Sequence, residues 1–303
     1  MKQEFLVELQ KITGDGQFYE AEPMSRHTTF RIGGPADVLI TPSAAHIPQI
    51  IRLCAKYQEP YYIVGNGSNL LVGDGGIRGL VIAISSGTEE IVAEDDRITA
   101  GAGMLLPQVA NAALEHGLTG MEFAAGIPGS IGGAVVMNAG AYGGEMKDIV
   151  ETVTVVQTDG TEEVLSREEL ELGYRKSCIP ARGCIVTKVC LKLAHGNAEE
   201  IAGRMKALNE QRRMKQPLEY PSAGSTFKRP EGYFAGKLIM DAGLRGYQVG
   251  GAKFSEKHCG FVVNTGGASA KDVIRLMQEV SLEVKRQFGV TLEPEVKLIG
   301  EFQ

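Results

Sequence analysis

The stretch that decides the fold is Ile63-Val64-Gly65-Asn66-Gly67-Ser68-Asn69-Leu70-Leu71, a glycine-rich turn that follows a short apolar strand pattern. Such a turn is typical of the dinucleotide fingerprint, in which a helix N-terminus holds a pyrophosphate. The fingerprint needs a third glycine where Leu70 stands, and residues 72–76 have a loop composition instead of opening a helix. The pattern therefore favours a loop whose successive backbone N–H groups, together with Ser68 and Asn69, hold phosphate oxygens.

A second glycine-rich loop, Gly126-Ile127-Pro128-Gly129-Ser130-Ile131-Gly132-Gly133, repeats this chemistry farther along the chain. Its glycines allow the backbone to approach a flat or charged ligand closely, and Pro128 stiffens the turn. Either loop alone is equally typical of ordinary hairpin and helix-packing glycines. Two such loops in one β-rich region favour a large dinucleotide such as FAD.

The composition is that of a soluble protein of 303 residues with a formal net charge of −6 and a pI near 5.5. This length predicts two or three packed units. The acidic balance argues against nucleic-acid binding, since tracking phosphates requires a basic face. The five cysteines and five histidines lack ligand spacing, so we expect free thiols and no metal site. No long uncharged apolar run occurs, and we expect a cytoplasmic protein with neither membrane insertion nor an obligate protein partner.

Hydrophobic periodicity predicts an α+β chain of three consecutive segments. Residues 1–25 form an amphipathic helix and a connector, and the helix is expected to pack on the body of the protein. Residues 26–195 form a mixed unit, and residues 196–303 form a smaller α+β domain. The predicted strands are 37–40, 61–64, 79–84, 149–156, 183–189, 261–263 and 295–299, and the predicted helices are 47–57, 106–116, 197–215 and 270–288.

Three further segments carry reactive side chains. They are Tyr174-Arg175-Lys176-Ser177, Pro221-Ser222-Ala223-Gly224-Ser225-Thr226-Phe227-Lys228-Arg229-Pro230 and Leu292-Glu293-Pro294-Glu295-Val296. Read alone, they are typical of a basic loop, a glycine turn and surface carboxylates. The second segment, however, sets a serine hydroxyl between a glycine turn and two cations. This arrangement can donate a proton to the reactive carbon of a polyanion.

Together with the two loops and Asn138-Ala139-Gly140-Ala141-Tyr142-Gly143, these segments resemble the UDP-N-acetylenolpyruvoylglucosamine reductase family from about residue 26 to the C-terminus. The resemblance implies an FAD-binding domain of the vanillyl-alcohol oxidase/para-cresol methylhydroxylase type, with two subdomains, and a smaller C-terminal substrate-binding domain. It also implies NADPH as co-substrate and reduction of UDP-N-acetylglucosamine enolpyruvate to UDP-N-acetylmuramate in cell-wall precursor synthesis. The wider fold group includes members whose flavin is tethered to a histidine, and the first loop lacks a histidine, so we expect non-covalent FAD.

The resemblance also implies roles for individual residues. Arg175 grips the substrate carboxylate, Ser225 donates the proton, and Glu295 is the catalytic glutamate. Because an ionised Glu295 beside a carboxylate would be repelled, it either pairs with Arg175 or carries a proton. The expected FAD-binding residues are Gly65, Asn66, Gly67, Ser68, Asn69, Leu70, Gly126, Ile127, Pro128, Gly129, Ser130, Gly132, Gly133, Asn138, Gly140, Ala141, Tyr142 and Lys297, and the expected substrate-binding residues are Tyr174, Lys215, Lys228 and Arg229.

One feature of the longer class of this family is missing. That class closes a tyrosine-bearing loop over the nucleotide soon after the arginine motif, whereas residues 177–192 contain no tyrosine. The chain therefore resembles the shorter class, and what covers the uridine stays open.

Two rival interpretations are a flavin oxidase of the same fold, which uses oxygen as acceptor, and a non-catalytic nucleotide-binding module. The missing attachment histidine and the presence of the Ser225 and Glu295 segments argue against the oxidase. The module would need none of Arg175, Ser225 and Glu295.

Overall fold

The computed structural model describes residues 1–14, 17–84 and 90–302 of the chain. In this part of the chain the α-helices are α1 (Gln3–Thr13), α2 (Ile47–Tyr57), α3 (Leu106–Glu115), α4 (Ile131–Val136), α5 (Ile179–Arg182), α6 (Ala198–Lys215), α7 (Ala235–Asp241) and α8 (Ala270–Phe288). The strands are β1 (Phe18–Pro23), β2 (Pro35–Ile40), β3 (Tyr61–Val64), β4 (Leu70–Val72), β5 (Ile77–Ala83), β6 (Ile91–Glu94), β7 (Arg97–Gly101), β8 (Leu118–Thr119), β9 (Gly140–Ala141), β10 (Gly144–Glu145), β11 (Val150–Val156), β12 (Glu162–Ser166), β13 (Ile185–Lys192), β14 (Ala194–His195), β15 (Ser222–Ser225), β16 (Gln248–Val249), β17 (Ala252–Phe254), β18 (Phe261–Asn264) and β19 (Lys297–Ile299).

Helix α8 shows how local sequence sets an element. At its start the Ser269 hydroxyl accepts from the backbone N–H of Asp272 at 3.0 Å, and the Asp272 carboxylate accepts from the Ser269 N–H at 3.1 Å. This reciprocal capping box satisfies two donors that have no partner inside the helix. The helix ends at Gly289, whose φ of 71° is favourable for glycine. The predicted helix over 270–288 is confirmed for these reasons.

The chain divides into two compact units, each discontinuous in sequence. Unit 1 consists of Met1–Glu20, Val38–Asn66 and Gly79–Gln211. Its largest sheet is antiparallel, with the strand order β12-β11-β13-β7-β6. Helix α1 contributes Phe5 and Leu9, both fully buried, to the core of this unit. This burial confirms that the N-terminal helix packs on the body.

Unit 2 consists of Ala21–Asp37, Gly67–Arg78 and Arg212–Gln303. It contains an antiparallel sheet with the order β15-β18-β17-β16 and a parallel pair, β4 with β19. Its core is separate from that of unit 1, and in it the rings of Phe227 and Phe254 stack with centroids 6.3 Å apart. Strand β4 follows the first glycine-rich loop directly, so the β4–β19 pair brings the end of this loop to the C-terminal strand.

The C-terminal strand differs from its predicted bounds of 295–299. It begins at Lys297, whose N–H donates to the Asn69 carbonyl at 2.9 Å. The Glu295 N–H donates instead to the Thr226 carbonyl at 2.9 Å, next to the isolated bridge between Pro294 and Phe227. The three consecutive segments predicted from sequence stay a prediction. The two compact units are a different division of the chain, because each unit combines several separate stretches of sequence.

Two further structural facts bear on the predicted class of protein. The five cysteines are free thiols, and burial raises the pKa of Cys54 to about 12. Among the described residues, no helix combines the length and the apolar character needed to span a bilayer.

Candidate active site

The two glycine-rich loops are joined within unit 1. The side-chain amide of Asn66 donates to the carbonyl of Pro128 at 2.6 Å. A Cβ at Gly65 would lie 2.3 Å from the hydroxyl oxygen of Ser130, so only glycine allows this approach. Ser130 in turn caps α4 and accepts from the N–H of Gly133 at 3.4 Å. Within unit 1, the start of the first loop therefore contacts the second loop directly.

The chemistry of the two loops suits an anionic dinucleotide. Residues 65–70 and 126–133 contain no acidic side chain, and Asn66, Ser68 and Ser130 supply uncharged hydrogen-bond donors. Successive backbone N–H groups in such loops form anion-binding concavities. By the chemistry of their donors, the loops therefore fit the pyrophosphate of FAD.

Asn69 belongs to unit 2 and has a use that its sequence position does not reveal. Its side-chain amide donates to the carbonyl of Glu295 at 3.2 Å, and its own carbonyl accepts from the N–H of Lys297 at 2.9 Å. The residue therefore holds the backbone on both sides of Val296. Sequence analysis predicts a phosphate donor at this position, which stays a prediction, and the structure adds a bond from the amide to the backbone of Glu295.

The serine and glutamate segments pair within unit 2. The N–H of Glu295 donates to the carbonyl of Thr226 at 2.9 Å, and the N–H of Lys228 donates to the carbonyl of Glu293 at 2.8 Å. Ser225 ends β15, where its Cα is the register partner of Phe261 in β18. Glu295 is 9% exposed. We call this pairing of residues 226–228 with residues 293–295, together with the preceding Ser225, the serine–glutamate ladder.

The three cations of unit 2 that are predicted to bind substrate differ in what they contact. The Lys228 ammonium lies 3.1 Å from a carboxylate oxygen of Glu293. The Arg229 guanidinium carbon lies 4.0 Å from the centroid of the Phe234 ring, and its Nε donates to the carbonyl of Tyr233 at 3.3 Å. Lys215 is exposed at the end of α6.

Sequence analysis missed the aromatic turn formed by Tyr233 and Phe234. Their side chains are 47% and 59% exposed, and the Phe234 ring packs against the Arg229 guanidinium. The sequence does contain a signal for this turn. Tyr233 and Phe234 come shortly after Arg229-Pro230, in a stretch without the apolar periodicity of a helix or strand.

Arg175 lies in a tight turn of unit 1. Gly173 and Lys176 exchange backbone hydrogen bonds of 3.0 and 3.1 Å and close the turn. Arg175 has a φ of 53°, which is strained for a residue with a side chain. Its guanidinium carbon lies 5.3 Å from the centroid of the neighbouring Tyr174 ring, and Tyr174 is 57% exposed. We call residues 173–176 the arginine turn.

Asn138 and Tyr142, both predicted to bind FAD, also have positive φ angles, 42° and 53°. Asn138 is 1% exposed, and its amide donates to the carbonyl of Gly173 at 3.0 Å and to the Glu145 carboxylate at 2.8 Å. Tyr142 is 41% exposed between β9 and β10. Strained residues of this kind concentrate at functional sites.

A buried carboxylate precedes the second glycine-rich loop. Burial raises the pKa of Glu122, but hydrogen bonds from the Thr119 hydroxyl at 2.6 Å and the Gly120 N–H at 2.7 Å lower the pKa below its usual value overall. The Arg204 guanidinium, 3.6 Å away, acts in the same direction. An ionised carboxylate thus braces the turn that leads to residue 126.

Comparison with protein families defines the class first. A profile described as FAD binding domain matches residues 35–166, which include both glycine-rich loops. The chain therefore carries an FAD binding domain, and the predicted cofactor FAD is confirmed. A second profile, UDP-N-acetylenolpyruvoylglucosamine reductase, C-terminal domain, matches residues 216–299, which include Ser225 and Glu295.

Individual relatives narrow this class. The chain is 57% identical over 293 residues to the UDP-N-acetylenolpyruvoylglucosamine reductase of Agathobacter rectalis, with 93% of each chain covered. It is 54% identical to the reductase of the same name from Lachnoclostridium phytofermentans, with 99% of each chain covered. The crystal structure of the Thermus caldophilus enzyme of this name matches with a TM-score of 0.79 and 41% identity, over 92% of this chain and 97% of that one. The chain belongs to the UDP-N-acetylenolpyruvoylglucosamine reductase family, which confirms the predicted enzyme class.

More distant likeness concerns the fold alone. A grass pollen allergen with glucose dehydrogenase activity matches with a TM-score of 0.51 and 14% identity, over 64% of this chain and 44% of that one. The two family profiles and the Thermus caldophilus structure confirm the predicted fold class, an FAD-binding domain with a C-terminal α+β domain.

Proposed function

We propose that this protein catalyses the NADPH-dependent reduction of UDP-N-acetylglucosamine enolpyruvate to UDP-N-acetylmuramate, a step of peptidoglycan precursor synthesis, with FAD bound non-covalently. The observation that supports the proposal most is the serine–glutamate ladder. Its 2.9 Å bond between the Glu295 N–H and the Thr226 carbonyl joins the segments of the two proposed catalytic residues, Ser225 and Glu295, which are far apart in sequence. Family membership supports the same substrate.

The two connected loops are proposed to hold FAD through backbone N–H groups and through the side chains of Ser68 and Ser130. When bound, FAD supplies the hydride carrier between NADPH and the enolpyruvyl group. Lys297 lies two residues after Glu295 and is proposed to add a positive charge near the cofactor. Asn69 is proposed to support Glu295, in keeping with its 3.2 Å bond to the Glu295 carbonyl.

The protein itself is assigned two tasks: it stabilises negative charge on the substrate carboxylate, and it donates one proton to the substrate. The planar Arg175 fork matches a carboxylate and stabilises the negative charge that builds there as hydride adds to the methylene carbon. The Ser225 hydroxyl then donates its proton to the adjacent carbon, and the serine regains a proton from solvent. NADPH gives up its hydride in the earlier half-reaction and leaves as NADP⁺ there. A serine is a weak acid, but an enolate carbon is a strong base, so the transfer is feasible with good positioning. Glu295 is proposed to act on the same enolate. Its backbone pairs with Thr226, the residue that follows Ser225.

Binding of the UDP portion is proposed to involve Tyr174, Lys215, Lys228 and Arg229. Lys228 and Arg229 follow Ser225 closely, so they are suited either to the diphosphate or to stabilising the serine alkoxide. The location in the cytoplasm stays a prediction.

An anaerobic stopped-flow absorbance experiment tests the proposal. NADPH is added first to the FAD-loaded protein, and UDP-N-acetylglucosamine enolpyruvate second. We expect the flavin band to bleach with NADPH and to return with the enolpyruvyl sugar. Return of the band only with oxygen would favour the oxidase. A protein that FAD cannot reconstitute would leave the non-catalytic module as the better interpretation.

A further inference from the structure

We propose that Asn138 and Ser177 are positioning residues that hold the arginine turn in the geometry that binds the substrate carboxylate. The inference rests on the proposed function, since it takes Arg175 as the residue that binds this carboxylate. It extends that function to two buried polar side chains in unit 1.

The arginine turn needs support because its conformation is strained. A φ of 53° at Arg175 costs energy for any residue with a Cβ, and such angles persist only where the surroundings enforce them. The two bonds between Gly173 and Lys176 close the turn. They do not fix the turn relative to the rest of unit 1.

Ser177 provides the first anchor, on the C-terminal side of Arg175. Its side chain is buried, with 5% exposure, and its hydroxyl donates to the carbonyl of Val136 at 2.8 Å. Val136 is the last residue of α4, where carbonyls have no partner within the helix. The serine hydroxyl therefore satisfies a helix end and fastens the turn to it with the same bond.

Asn138 provides the second anchor, on the N-terminal side of Arg175. Its amide donates to the Gly173 carbonyl at 3.0 Å, and its Oδ1 accepts from the N–H of Lys147 at 2.8 Å. Donor and acceptor are both in use, so the amide has one orientation. The positive φ of 42° is one that asparagine tolerates better than most residues.

Both anchoring bonds involve residues 136–138, at the C-terminal end of α4 and shortly after the second glycine-rich loop. The turn that carries the carboxylate-binding residue is thus fastened on both flanks to the segment after a cofactor loop. Because binding geometry must hold to within a fraction of an ångström, loss of one anchor should reduce the rate without removing any reacting group.

The test uses the FAD-loaded protein and compares Ser177→Ala with Thr187→Val. Thr187 is matched to Ser177 because it too is 5% exposed and its hydroxyl donates to a backbone carbonyl, that of Thr154, at 3.3 Å. We expect Ser177→Ala to slow the return of the flavin band with enolpyruvyl sugar by about 10- to 100-fold, with the NADPH step unchanged. Thr187→Val should leave both steps unchanged, and Ser177→Thr, which keeps the hydroxyl, should restore most of the rate.

Limited trypsin digestion supplies a readout that needs no substrate. The turn contains two tryptic sites, after Arg175 and after Lys176, and we expect both Ser177→Ala and Asn138→Asp to be cut there faster than wild type. Asn138→Asp replaces the donor to Gly173 by an acceptor while keeping the shape of the side chain.

The proposal is overturned if Ser177→Ala matches wild type in both the sugar step and the digestion. It is also overturned if both half-reactions slow in parallel with the folded fraction, since the hydroxyl then acts only on stability. If wild type itself fails to react with the sugar, the proposed function fails, and unchanged trypsin cutting of the variants would separately refute the anchors.

Discussion

The arginine turn in unit 1 and the serine–glutamate ladder in unit 2 are held by different kinds of bond. The turn is fastened to its surroundings by the side chains of Asn138 and Ser177. The ladder is held by backbone pairs, such as the Glu295 N–H to the Thr226 carbonyl. Every residue except proline offers the same backbone groups, so a ladder keeps its geometry when a side chain changes. We therefore expect substitutions in the ladder to remove chemistry, and substitutions around the turn to disturb position.

The largest expected effect is that of Ser225→Ala, which tests the ladder. Because the backbone pairing stays intact, the variant should fold and bind FAD as wild type does. Loss of the proton donor should slow the return of the flavin band with enolpyruvyl sugar by about 10²- to 10⁴-fold, while the NADPH step is unchanged. Anaerobic stopped-flow absorbance measures both steps.

The matched control for Ser225→Ala is Ser281→Ala, at a half-buried position of α8 outside the ladder, which should behave as wild type. Equal slowing of both half-reactions in Ser225→Ala would contradict the role of proton donor.

Arg175→Lys tests the turn. Lysine keeps the charge but loses the planar fork, so it cannot bind a carboxylate with two parallel hydrogen bonds. We expect kcat/KM for the enolpyruvyl sugar to fall by about 10²- to 10³-fold, with unchanged flavin reduction by NADPH. Steady-state kinetics at saturating NADPH measures this ratio.

Lys176→Arg, in the same turn and also without change of charge, is the control and should retain activity. A rate for Arg175→Lys equal to that of the control would show that the planar guanidinium is not needed. The arginine turn would then not be a region that positions a carboxylate-binding group.

Asn69→Ala tests whether side-chain support matters in the ladder too. The variant removes the donor to the Glu295 carbonyl, and backbone pairing on both sides should keep Glu295 in place. We expect unfolding free energy to fall by about 1 kcal/mol and the sugar step to slow far less than in Ser225→Ala. Urea denaturation and stopped-flow absorbance measure the two effects.

For Asn69→Ala the control is Asn111→Ala, on the exposed side of α3. A sugar step as slow as that of Ser225→Ala would mean that the ladder, like the turn, depends on a side chain for its geometry.

The difference between the two regions also explains what sequence could predict. Helix α2 follows from periodicity, and α8 follows from periodicity together with its capping box. These are local patterns, and both helices lie where they are predicted. Ser225 and Glu295 are identified by resemblance to a family. A resemblance shows which residues to expect in the site, but it does not show which hydrogen bonds they make. The pairing of Pro294 with Phe227 leaves no local pattern, because the two residues are far apart in sequence.

Asn69 and Asn138 show the same limit. Sequence places each in a glycine-rich motif and predicts a contact with FAD, which stays a prediction. It gives no sign that each amide also donates to a protein carbonyl. For Asn69 the acceptor is the carbonyl of Glu295, 226 residues away. For Asn138 it is the carbonyl of Gly173. The chemistry of an amide is readable from sequence, while the choice among its partners depends on tertiary packing.

The smallest expected effect on the reaction itself concerns pH and the support of the second glycine-rich loop in unit 1. Hydrogen bonds from Thr119 and Gly120 outweigh burial and hold the pKa of Glu122 below its usual value. A lowered folded-state pKa stabilises the fold above the unfolded pKa of about 4.3, and this contribution is lost as pH falls through the folded value. Glu122→Gln should therefore cost about 1 to 2 kcal/mol near pH 7 and progressively less below about pH 4.

Urea denaturation at several pH values measures the gap between Glu122→Gln and wild type. Glu115→Gln, at the exposed end of α3, is the control and should show no gap at any pH. A gap for Glu122→Gln that is constant across the range would mean that the carboxylate acts by shape alone, since a bond that depends on ionisation must weaken as the acid form takes over. A gap that closes at low pH would show that unit 1 relies on a charged side chain for its loop support, in contrast to the uncharged backbone ladder of unit 2.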